Sequence, residues 1–93
     1  MDVMGAMEDT VRLGFQRGRM PDAGDLGYPH IAGMLIRMKE TQMSYGKLCR
    51  WLGWAQAAVV AAGGATLDDM KQINMRHANN PLDISNRIVS NEA

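Results

Sequence analysis

The chain has 93 residues, ten Lys plus Arg balanced by ten Asp plus Glu, one cysteine and 46% hydrophobic residues. That length bounds it to one domain near the lower limit for a self-sufficient core, and zero net charge excludes the chain-wide basic field that drives non-specific nucleic-acid binding. A lone Cys49 excludes an internal disulfide or a Cys-rich zinc site and fits a reducing, cytoplasmic setting.

Val3, Met4, Met7, Val11 and Phe15 recur at helical spacing, which predicts a first amphipathic helix that stops at Gly18 despite the weakening Gly5 and Gly14. Asp2, Glu8 and Asp9 interrupt its apolar residues, so an export signal is not expected. Residues 19–29 contain Pro21, Gly24, Gly27 and Pro29 and read as a loop, with Pro29 suited to the first turn of the next helix. A second helix is expected over residues 30–42, with Ile31, Met34, Leu35 and Met38 on one face and Arg37, Lys39 and Glu40 elsewhere.

Ser44 suits an N-cap and Gly63-Gly64 a stop, so residues 44–64 form the next helical segment. Thr66 and Asp69 resemble a capping box, and Leu67, Met70, Ile73 and His77 line a face of a last helix running to residue 78. Asn79-Asn80-Pro81 ends it, and residues 79–93 read as a partly ordered tail or docking helix. The fold expected is all-α, a small bundle of four or five helices in a single domain. The most apolar stretch, residues 51–67, is rich in Ala and Gly and short of the roughly 20 strongly apolar residues a bilayer span needs, so no membrane association is expected.

The informative segment is residues 44–64, around which basic charge collects: Arg37, Lys39, Lys47 and Arg50 face Glu40 alone between residues 28 and 54. It reads two ways. As one continuous helix, Leu48, Leu52, Ala55, Val59 and Ala62 form a buried stripe, while Lys47, Arg50, Trp51 and Trp54 follow i, i+3, i+4, i+7 on another side. Such a face suits an anionic planar ligand, with Arg50 and Lys47 pairing phosphate and an indole stacking a base. It equally suits a protein partner, because Trp and Arg are enriched among interface hot spots. The plain alternative is that both indoles complete the core against Phe15 and the methionines. Alanine and glycine in residues 55–65 permit close helix approach, within the monomer or between copies.

In the other reading, Leu48, Cys49, Leu52, Gly53, Trp54, Val59 and Ala62 resemble the apolar and turn positions of a repressor-type helix-turn-helix across about twenty residues. Its second helix then offers only Gln56 to base edges or phosphates. A broader resemblance rests on Arg50-Trp51-Leu52-Gly53-Trp54-x-Gln56-x-x-Val59 followed by Thr66-Leu67-Asp68-Asp69-Met70. Covering residues 30–78, it is similar to small phage-encoded proteins, some of them host-defence antagonists, and implies an origin without assigning functional residues.

Neither His30 nor His77 has a ligand partner at metal spacing, Asp68 and Asp69 suit the dipole of a helix first turn, and no nucleophile, base and orienter are recognisable together. The residues therefore favour a non-enzymatic binding protein without metal or cofactor. The expected contact residues are Arg37, Lys47, Arg50, Trp51, Trp54 and Gln56. A host protein or small anionic nucleotide is the expected partner, with homo-oligomerisation; a DNA-binding regulator is the alternative.

Overall fold

The computed structural model describes residues 1–79, arranged as four α-helices with no strand among the described residues. Helix α1 spans Val3–Arg17, α2 Tyr28–Glu40, α3 Tyr45–Ala61 and α4 Leu67–His77. The tail expected over residues 79–93 lies, but for Asn79, outside the described residues.

Local chemistry accounts for the ends of these helices. Asp2 caps α1 by accepting from the Gly5 N–H at 3.0 Å, and Gly18 closes it in the left-handed region at φ 64°, where its missing Cβ removes the steric cost. Ser44 caps α3 through the Lys47 N–H. A capping box opens α4: the Asp69 N–H donates to Thr66 Oγ1 at 3.1 Å and the Thr66 N–H to Asp69 Oδ2 at 2.8 Å. Helix α2 begins at Tyr28 rather than residue 30 and ends at Glu40, because Pro29 already occupies its first turn and Thr41 adopts an extended backbone.

Helix α1 lies against each of the other three helices, and α3 also packs on α2. The core joins Val3, Met7 and Val11 to Ile31 and Met38, to Leu48, Leu52, Ala55 and Val59, and to Met70 and Ile73. Ala55 and Ala58 are buried, and a Cβ on Gly14 would stand 2.9 Å from Met20 Sδ and 3.2 Å from Val59 Cγ2. Gly14 thus lets α1 and α3 approach closely, and this contact takes up the small side chains on the inner side of α3.

Two expected core positions fall outside. Phe15 is 68% exposed and rests against Tyr28 at a centroid distance of 5.6 Å. In the last turn of α1 the buried line passes through Gly14 instead. Leu67 is 78% exposed, since it is the first residue after the Thr66 cap, and Met75 also lies at the surface. Helix α3 is unbroken from Tyr45 to Ala61, so the turn that a repressor-type helix-turn-helix places at Gly53 is absent. A glycine in a helix interior costs only about 1 kcal/mol, less than the packed stripe on either side of it contributes. No described helix is long and apolar enough to cross a membrane.

Candidate functional site

Helices α2 and α3 enclose a groove of about 550 Å³. Its α2 wall is Pro29, His30, Gly33, Met34 and Arg37, and its α3 wall is Arg50, Trp51 and Trp54. The spacing of His30, Gly33 and Arg37 explains the first wall, because steps of three and four residues keep them on one helix face beside the core face of Ile31 and Met38. Met34 lies between the two faces and is nearly buried. Four expected contact residues, Arg37, Arg50, Trp51 and Trp54, are therefore brought together.

The two indoles divide the roles that the sequence left open. Trp51 is half-buried and packs against the core, whereas Trp54 is 44% exposed. The Trp54 indole Nε1–H donates to the backbone carbonyl of Asp25 at 3.0 Å, which ties its ring to the loop before α2. Lys47 is absent from the groove wall; its Nζ lies 5.3 Å from the centroid of Trp51, a cation–π arrangement.

Arg37 and Arg50 are exposed, and neither guanidinium has a hydrogen bond or ion pair among the described residues. Lys39, by contrast, on another face of α2, pairs with Glu8 of α1 at 2.9 Å. The lining residues contribute two guanidiniums and an imidazole but no carboxylate, a set that selects negative charge. Pro29, Met34 and the indoles add apolar surface beside these donors.

Gln56 does not join this site. Its Nε2 donates to Asn74 Oδ1 at 2.8 Å and to Thr10 Oγ1 at 3.3 Å, while Asn74 Nδ2 donates back to its Oε1 at 3.3 Å. Thr10 is fully buried and donates to the Ala6 carbonyl at 2.8 Å, so this amide pair ties α3 to α1 and α4. Position 56 lies only two residues beyond Trp54, but that is about 200° around the helix.

A second polar cluster joins the middle of α1 to the end of α4. His77 Nε2 lies 2.8 Å from Asp9 Oδ2, and Arg76 and Arg12 reach the same carboxylate at 3.0 and 2.8 Å. Burial pushes the Asp9 carboxyl up, but its hydrogen bonds with His77 and Arg12 and the charge of Arg76 outweigh this and hold it below its ordinary range. The Asp69 carboxyl is also lowered, chiefly because it accepts from the Thr66 backbone N–H. Burial and neighbouring Cys49 push the Tyr45 hydroxyl up.

The end of α4 is further held by the Asp2 N–H, which donates to the His77 carbonyl at 3.0 Å. His77 Nδ1 is buried without a hydrogen bond, 3.9 Å from Asp2 Oδ2. No group of three or more His, Cys, Asp or Glu suited to a metal occurs among the described residues. Sequence reasoning missed the His30 side of the groove, although the His30–Gly33–Arg37 spacing carries that signal; nothing local points to the Asp25 carbonyl.

Comparison with protein-family models, curated proteins and solved structures finds no match to this chain.

Proposed function

We propose that this protein is a small, non-enzymatic binding protein of phage type that acts in the host cytoplasm. It modulates or inhibits a host defence factor by occupying an anionic surface or sequestering an anionic small molecule in the α2–α3 groove. The observation that carries this reading is the pair of guanidiniums, Arg37 and Arg50, that have no partner among the described residues and stand beside the indoles of Trp51 and Trp54. Cations that serve the fold are usually paired or solvated away from apolar surface; here they border a concave apolar wall. Gly53, Ala57 and Ala61 leave a side of α3 uncovered by bulky groups, which is compatible with assembly of copies.

The test pairs capture from host lysate with mass spectrometry of small molecules released on denaturing the purified protein. The double variant Arg50→Ala, Trp54→Ala should lose the captured partner or ligand while circular dichroism retains full helicity. Undiminished capture by a folded double variant overturns the assignment of the groove. The DNA-binding alternative is addressed with duplex DNA across a salt series, in which steep, sequence-dependent binding would favour it.

A further inference from the structure

We infer that the groove is a directional site for a nucleoside phosphate, with the phosphate seated between Arg37 and Arg50 and the base against Trp54. This deepens the reading above and rests on it.

The direction follows from how the hairpin is built. Only residues 41–44 join α2 to α3, so the last turn of α2 lies beside the first turns of α3. Arg37 belongs to that last turn. Arg50 bends toward the same end: its Nη1 lies 3.7 Å from where a Cβ on Gly46, one turn earlier, would stand. Both guanidiniums thus serve the connection end of the groove, where each can present paired N–H donors to phosphate oxygens.

The opposite end is aromatic. Trp54 is fixed there by the Asp25 carbonyl, three residues before α2 begins. Because its N–H is spent on that bond, the indole offers a flat face rather than a donor, which suits stacking on a base. His30 borders the same end, seven residues and therefore about 10 Å along α2 from Arg37. That length separates a base from its phosphate. Asp22 and Asp25 lie in the loop at this end, with no basic residue between Arg19 and Tyr28, so a phosphate placed there would meet like charge.

Size argues for a small molecule over a protein surface. A volume of about 550 Å³ falls within the range of ligand pockets, whereas a standard protein interface covers about 800 Å² on each partner.

Trp51 and Trp54 are the only tryptophans, so intrinsic fluorescence reports on the groove directly. The four ribonucleoside 5′-monophosphates, their nucleosides and inorganic phosphate are titrated into the purified protein, with calorimetry for the tryptophan variants. At least one monophosphate should bind saturably. Arg37→Gln and Arg50→Gln should each weaken it by about tenfold or more while leaving the nucleoside unchanged. Trp54→Leu should weaken nucleotide and nucleoside alike.

Absence of binding by every monophosphate to folded protein overturns the inference, as does Arg37→Gln weakening the nucleoside as much as the nucleotide. If no nucleotide binds while capture of a host protein still requires Arg50 and Trp54, the nucleoside-phosphate inference falls and the groove assignment survives. Loss of both results removes both.

Discussion

The α1–α4 seam and the α2–α3 groove each hold two arginines and a histidine, but they treat charge in opposite ways. At the seam, Asp9 collects Arg12, Arg76 and His77, and the surrounding backbone is stitched by the bond between Asp2 and His77. At the groove, Arg37 and Arg50 meet no carboxylate among the described residues. Charge neutralised inside the chain is held for the fold, and charge left open beside an apolar wall is available to something outside it. Mutation should therefore separate the two regions, with stability moving at one and binding at the other.

The largest stability loss is expected at the centre of the seam. Asp9→Ala strips three donors of their shared acceptor and should cost about 2–3 kcal/mol in denaturant unfolding, with groove binding intact. The same carboxylate sets an acid limit. Its folded pKa lies below the ordinary value of 3.8, so its contribution is complete above the unfolded carboxylate range and is lost as pH falls through the folded pKa. Unfolding free energy measured from neutral pH downward should fall less steeply across that acid range in Asp9→Asn than in the parent protein.

A smaller effect, about 1–2 kcal/mol, is expected for Gln56→Ala, which leaves Thr10 and Asn74 short of a partner. This variant sharpens the comparison because Gln56 lies on the helix that carries Arg50 and Trp54, yet its loss should leave ligand affinity unchanged. An effect on affinity equal to that of Arg50→Gln would blur the boundary between fold and site.

Gly5→Ala should destabilise by about 1 kcal/mol even though alanine is the better helix former. Its Cβ would stand 2.5 Å from Asp2 Oδ2 and 2.6 Å from His77 Cε1, displacing the cap and the half-buried imidazole together. An increase in melting temperature would show that the seam yields freely. Smallest of all, Arg37→Gln and Arg50→Gln should change stability by no more than about 0.5 kcal/mol, because neither side chain has a partner to lose among the described residues. A thermal melt that falls well beyond this range would mean that these arginines serve the fold.

Much of the fold was legible in the sequence because helix limits and faces are local properties. Ser44, the Thr66–Asp69 box and Gly18 act through bonds or backbone angles within a few residues, and the Leu48–Leu52–Ala55–Val59 stripe follows from helical period alone. The same period placed Arg50, Trp51 and Trp54 together on α3. It also put Phe15 and Leu67 on apolar faces that the described helices leave largely exposed, since periodicity orders residues around an axis without saying how far a neighbour extends.

What only the tertiary structure decided is which of those faces meets which neighbour. The approach of α2 made a groove from Arg37 and the α3 residues; the loop before it oriented Trp54 through Asp25; α1 and α4 drew Gln56 inward. His77 reached Asp9 across 68 residues and gave Gly5 its reason. Trp51 and Trp54 are only three residues apart on one helix, with the same side chain, yet Trp51 packs against the core while Trp54 stays exposed, held by the Asp25 carbonyl. Sequence determined that the middle of this chain is a capped helix bearing cations and indoles. Packing determined which indole is the more exposed and which cations find a carboxylate among the described residues, because both depend on distances between segments that no local pattern encodes.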